Sequence, residues 1–181
     1  LDAVLDMLMD NDADTATEKV KNLKSQTQQM VMDIRRLVYE LRPPALDELG
    51  LLESLRAHIV QMSGTKGLNI VIKAIPDPLP NLPAALEVAA YRIVLEAVTN
   101  VIRHAHASDC QVQFIVTEDE QLSTLTISVT DDGVGLPQQL QLGVGLTSMR
   151  ERTSELGGTV KIDSHQGKTH LIAVLPYMTK G

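Results

Sequence analysis

Residues 83–106 constrain the fold more than any other stretch of this chain. Within them Leu86, Ala89, Ala90, Ile93, Val94, Ala97, Val98 and Val101 recur at helical spacing and cover much of the circumference. A helix that is apolar on so many sides cannot rest on a surface; it has to be enclosed by other layers. The neighbouring segments supply them. LNIVIKAI (68–75) is β-branched and alternating and reads as a strand. QVQFIVTE and TLTISVTD alternate cleanly on either side of the polar EDEQLS, which predicts an antiparallel hairpin. ALDELGLLESLRAHIVQMSG reads as a helix ending near Gly64, and LTSMRERTSELGG as a helix closed by glycine, starting near Thr147. TVKIDSH and THLIAVLP give a last pair of strands. The order α–β–α–β–β–α–β–β is that of an α+β fold, a two-layer α/β sandwich with a mixed sheet, and not the alternation of a parallel sheet.

Ahead of this body the pattern changes. LDAVLDMLMD places Leu1, Val4, Leu5 and Leu8 on one helical face, and the polar DNDAD that follows should break the helix. From about Thr15 to Arg42, Val20, Leu23, Thr27, Met30, Ile34, Leu37 and Leu41 alternate spacings of three and four, a heptad stripe. Such a helix reaches ~40 Å, too long to bury its stripe against the short first helix. Pro43-Pro44 stops it. Residues 1–44 are therefore expected to form a helical hairpin separate from a domain at 45–181. The hairpin would dimerise with a copy of itself as a four-helix bundle. The alternative is that the stripe packs on the chain's own globular part.

Composition excludes several functions. Of the 181 residues 44% are apolar and 22% charged, as in a globular chain. A net charge of -7 and only four aromatics (Tyr 3, Phe 1) argue against direct nucleic-acid binding, which needs cations for phosphates and rings for bases. No apolar run approaches the ~20 residues of a membrane span, and no signal peptide opens the chain, so this piece is expected outside the membrane. Cys110 is the single cysteine, so no internal disulfide forms, which suits a reducing, cytoplasmic setting.

Three polar clusters interrupt the apolar pattern at junctions between elements. In EAVTNVIRHA, Glu96 and Asn100 share a helical face, and Arg103 and His104 follow a turn later. A carboxylate and a carboxamide so spaced can offer hard oxygens to Mg²⁺, and Arg103 can fork onto a phosphate. A polar stripe facing solvent would look the same. Asp131-Asp132-Gly133-Val134-Gly135 follows a strand. An Asp there can accept a hydrogen bond from an adenine amino group, and the glycines let backbone approach a ligand closely. An ordinary glycine turn with a capping Asp remains open. Gly143-Val144-Gly145-Leu146 precedes a helix, where N–H groups and the dipole favour an anion, although a lone GxG is weak. Between the glycine clusters LPQQLQL forms a short covering loop or lid. Gly167-Lys168-Thr169 imitates a Walker A ending but has Ile162 where glycine is required and leads into a strand. His104, His106 and Cys110 do not form a zinc pattern.

In this order the clusters resemble the histidine-kinase branch of the superfamily that includes gyrase, mismatch-repair ATPases and a heat-shock chaperone, the Bergerat or GHKL ATPases. ExxxNxxRH at 96–104 is similar to the N box, DDGVG at 131–135 to the first glycine box, and GVGL at 143–146 to the second. LRPPALDELGLLESL (41–55) and GVGLTSMRER (143–152) resemble the subfamily paired with LuxR/NarL-type response regulators. The resemblance implies ATP and Mg²⁺ as cofactors. It assigns Mg²⁺ to Asn100 with Glu96 beside it, the phosphates or ribose to Arg103 and His104, and adenine to Asp131. Gly133 and Gly135 would shape the adenine pocket, Gly143 and Gly145 would hinge the lid, and with them Val144 and Leu146 of the GVGL box would bind the nucleotide. Thr169 stands where the family has a threonine near adenine, preceded by Lys168 where glycine is usual. The family's phosphoacceptor histidine lies in a stretch like ELHD, and none of the five histidines here is so placed, so the acceptor is expected upstream of Leu1. The implied activity is phosphoryl transfer from ATP to that histidine and on to a response-regulator aspartate. The other enzyme reading is an ATPase or anti-sigma-type serine kinase of the same superfamily.

Overall fold

The computed structural model describes residues 15, 17–24, 27, 42–64, 67–119, 122–136, 143–165 and 167–178. The expected helix over 1–10, its DNDAD break, most of the heptad stripe and most of the lid loop lie outside these residues. The chain divides into two compact units, Leu1–Pro44 and Ala45–Gly181. In the first, residues 17–24 are helical and exposed along their length, with Val20 at 50% and Leu23 at 42% exposure. The Thr27 hydroxyl donates back to the Leu23 carbonyl at 2.8 Å, as threonine does in helices.

The second unit opens with α1 (Pro44–Ser63). Proline suits a first helical turn, where its missing N–H would have no partner, so Pro44 starts this helix. The single helix expected here is in fact broken: Gly50 has φ 75 and ψ 176. The break leaves carbonyls unpaired, and the buried Ser54 hydroxyl lies 2.6 Å from both the Ala45 and the Gly50 carbonyl. Leu46, Leu51, Leu55 and Ile59 are the buried apolar positions of α1.

Five strands form one mixed sheet in the order β1-β2-β3-β5-β4. β1 (Asn69–Ile75) runs parallel to β2 (Asp109–Thr117). β2 pairs antiparallel with β3 (Ser123–Asp131), β3 with β5 (Lys168–Tyr177), and β5 with β4 (Thr159–His165). Alternation puts Leu125, Ile127 and Val129 of β3 on the covered face, with Val112 and Phe114 of β2 and Leu171, Ala173 and Leu175 of β5. Each fully buried Val, Leu, Ile or Phe among them contributes roughly 1.5–3 kcal/mol. Gln111, Val71 and Ile172 stand exposed on the other face.

α2 (Ala84–Asn100) lies on the covered face, with Leu86, Ala90, Ile93, Val94 and Val98 at 0–2% exposure. The enclosure inferred from its apolar circumference is therefore observed. The α-helix does not run to residue 106, however. Val101–Ala105 is a π-turn, and His106 closes it in the left-handed region at φ 50. α3 (Val144–Glu155) begins three residues before the expected Thr147, with Gly143 as its N-cap residue.

Candidate functional site

A cavity of about 570 Å³ opens where three chain junctions meet: the π-turn after α2, the end of β3 and the first turn of α3. Asn100 and His104 line it from the first, Asp131 and Gly135 from the second, and Gly143, Gly145 and Leu146 from the third. Its walls are otherwise apolar, from Ala97, Val101, Val129, Ile162 and Leu171. Small-molecule sites combine such walls with a few directed polar groups.

Asp131 is the last residue of β3 and is only 4% exposed. Its register partner across the β3–β5 ladder is Thr169. One carboxylate oxygen accepts a hydrogen bond from the Gly133 N–H at 3.0 Å and from the Thr169 hydroxyl at 3.4 Å. A buried carboxylate is tolerable only with such donors, and they fix the direction in which it faces. Thr169 lines the same cavity. Lys168 before it is exposed, and the tight geometry is borne instead by Gly167, at φ 79.

Gly133 lies behind the cavity wall. An ideal Cβ there would come within 2.2 Å of the Ala105 carbonyl oxygen, the same oxygen that accepts the Val134 N–H at 2.8 Å. The glycine therefore lets the loop after β3 lie directly on the π-turn. Such turns recur at functional sites because they re-aim side chains. Here Asn100 and His104, on either side of its start, both reach the cavity, whereas the exposed Arg103 does not line it.

At α3 the N–H groups of the first turn have no intrahelical acceptor. The Thr147 N–H is the first to find one, the Gly143 carbonyl at 3.2 Å. Val144 is 89% exposed and does not line the cavity. Beside Gly145 lies the tip of the Glu96 side chain, in the space a Cβ would take, although that tip can swing aside. Glu96 thus stands against the helix start and is not among the lining residues.

Charge around the site is uneven. Cys110, paired across the β2–β3 ladder with Asp131, has its thiol pushed up to about 12 by burial, with Asp131 and Asp132 adding to the effect. The Asp132 carboxyl is held below its usual range, chiefly by the Asp109 N–H, with help from the Ser108 N–H and Lys168. Among the described residues no three His, Cys, Asp or Glu side chains gather as a metal cage. The donor set fits a cation that takes few protein ligands, and Asn100 is the carboxamide available for it.

The sequence had singled out the polar members of this cavity and passed over its apolar walls. The signal for those was present: Ala97 and Val101 lie within one helical turn of Asn100. Val129 and Leu171 each lie two residues along a strand from Asp131 and Thr169, hence on the same face.

A mixed sheet carrying a buried acid at the end of its middle strand, under a cavity walled by a glycine-opened helix, defines a two-layer α/β ATPase-type domain. Residues 85–179 match the family described as histidine kinase-, DNA gyrase B- and HSP90-like ATPases, and the chain belongs to that family. It is similar to DegS, a signal transduction histidine-protein kinase/phosphatase of Brevibacillus brevis. The two are 29% identical over 169 residues, covering 91% of this chain and 42% of DegS. Similarity to UhpB of Salmonella typhimurium, of the same description, is 36% over 145 residues, or 79% of this chain and 28% of UhpB. The oxygen sensor histidine kinase NreB of Staphylococcus carnosus is 27% identical over 166 residues, 90% of this chain and 46% of NreB. The chain thus spans less than half the length of each. Among solved structures, the histidine kinase domain of the blue-light activated histidine kinase EL346 from Erythrobacter litoralis shares the fold. Its TM-score is 0.57 at 20% identity, over 70% of this chain and 59% of that one. Among the described residues no helix is long and apolar enough to cross a membrane.

Proposed function

We propose that the chain is the ATP-binding catalytic portion of a cytoplasmic sensor histidine kinase. The γ-phosphoryl group of ATP passes to a histidine imidazole upstream of Leu1, then to an aspartate of a LuxR/NarL-type response regulator. Residues 1–44 contribute to a homodimeric four-helix bundle and residues 45–181 form the catalytic domain. The exposed Val20 and Leu23 on the described part of the second hairpin helix support that dimer, since an apolar stripe in water favours a partner.

The observation that carries this reading is Asp131, a buried carboxylate oriented by Gly133 and Thr169 at the end of a mostly apolar cavity of about 570 Å³. An adenine amino group meets an acceptor there, whereas guanine would present its own acceptor. Asn100, with Glu96 near it, is the group for Mg²⁺, which would neutralise charge on the phosphates. His104 and the first-turn N–H groups of α3 face the polyphosphate end, and Arg103 stands near enough in sequence to join when the site closes. Catalysis then consists mainly of alignment, with little covalent work for these residues.

Titration calorimetry with Mg²⁺ and ATP tests it. Asp131→Asn keeps an oxygen for Gly133 and Thr169 but turns a donor toward the adenine amino group. A charge-assisted bond of about 1.5–3 kcal/mol is lost, equivalent to roughly tenfold or more in Kd. Undiminished ATP binding by a folded Asp131→Asn protein would refute the adenine assignment.

A further inference from the structure

Asp131 and Asp132 are adjacent in sequence but differ in placement. Asp131 is buried and lines the cavity as well as a smaller groove; Asp132 is exposed and lines only that groove, with Lys73, Asp109, Gln111 and Lys168. Its carboxylate is nevertheless specifically engaged. One oxygen accepts two consecutive backbone N–H groups, from Ser108 and Asp109, each at 2.8 Å. The Asp132 N–H in turn donates to the Asp109 carbonyl at 3.2 Å.

Consecutive N–H groups converging on one oxygen make an anion nest, and here the anion belongs to the protein itself. The segment so gripped connects α2 to β2. Its near end is the π-turn, where the Ala105 carbonyl takes the Val134 N–H. Its far end is fixed to β1: the Asn69 N–H donates to the Ser108 carbonyl at 2.9 Å and the Asn69 side-chain amide to the Asp109 carboxylate at 2.8 Å. Two independent attachments, at Ala105 and at Ser108–Asp109, thus bind the connection to the loop after β3. Asn100 and His104 stand on one partner, Asp131 and Gly135 on the other.

We infer that Asp132 is a positioning residue for the nucleotide: by holding the Ser108 and Asp109 N–H groups it sets the spacing between the α2 terminus and the adenine end of the cavity. It touches no cavity wall and acts through the loop. The lowered Asp132 carboxyl range, from those same N–H groups and Lys168, agrees with an anion held in place. This inference rests on the ATP reading above.

The test compares wild type, Asp132→Ala, Asp132→Asn and Asp132→Glu in the whole chain, by ATP titration and by amide exchange at Ser108 and Asp109. Alanine removes the acceptor and is expected to weaken ATP about tenfold, the order lost with a charge-assisted contact, and to speed exchange at both amides. Asparagine keeps an acceptor oxygen in place and is expected to bind within about threefold of wild type. Glutamate keeps the charge but displaces the oxygen, so it should bind more weakly than asparagine. Wild-type affinity in the alanine variant, or an asparagine variant no better than alanine, would overturn the inference. Should alanine not fold, the ranking of asparagine over glutamate decides, and its reversal overturns it equally. Failure of wild type itself to bind ATP would instead refute the proposed function, and the positioning role with it.

Discussion

Gly133→Ala adds one carbon where the structure has no room for it. The new Cβ would stand 2.2 Å from the Ala105 oxygen and 2.8 Å from both the Ala105 carbonyl carbon and its Cβ. An ordinary carbon–oxygen contact is about 3.3 Å, so the loop and the π-turn must separate by about 1 Å. Backbone atoms cannot swing aside as a side-chain tip does. Overpacking of this kind costs about 1–3 kcal/mol, and straining the Val134–Ala105 hydrogen bond adds about 0.5–1.5 kcal/mol. Together they predict a loss of about 1.5–4.5 kcal/mol and a Tm lower by about 3–18 °C. Gly143→Ala is the matched control from the other glycine cluster. Nothing lies within 4 Å of its Cβ and its φ is -67, leaving only a changed N-cap preference, under about 1 kcal/mol. Thermal and urea melts followed by circular dichroism measure both. A Gly133→Ala protein melting within about 1 °C of wild type, or a Gly143→Ala protein equally destabilised, would refute the close-approach reasoning.

Two further outcomes are expected. With its thiol raised from 9.0 to about 12, Cys110 should resist iodoacetamide in the native protein at pH 8 and react promptly once unfolded in guanidinium. Because the folded value lies above the unfolded one, its stabilising contribution is intact below about pH 8.5 and declines as pH rises toward 12; rapid native labelling at pH 8 would contradict this. Leu23→Asp, on the exposed stripe, should shift sedimentation toward monomer without lowering the melting temperature of the 45–181 unit, and an unchanged dimer would count against the hairpin assignment.

What could be read in advance was whatever has a short period. The strands alternate along their whole length, so β2, β3 and β5 were legible to within a residue or two, and α2 declared its burial through its apolar circumference. The break at Gly50 was also written in the sequence but looked like noise. Leu51, Leu55 and Ile59 are four apart, whereas Leu46 and Leu51 are five apart, and the extra residue is where the helix interrupts. Two features have no local signal. The π-turn depends on Gly133 and Val134, far along the chain, meeting Ala105. The early start of α3 offers no apolar face to read, since Val144 is almost wholly exposed and glycines stand on either side of it. The polar site residues were recognisable as clusters, but the junction of Asp131 with Thr169 required the register of a strand pair that no spacing rule supplies.

The strand that ends in Asp131 occupies the middle of the sheet, with a full ladder on each side. The opposite wall of the cavity is the first turn of α3, where Gly143 and Gly145 stand beside Leu146, half-buried against the core. Local opening that starts at chain ends and loops would therefore reach the Asp131 carboxylate last, and the acid end of the cavity keeps its shape for as long as the sheet does.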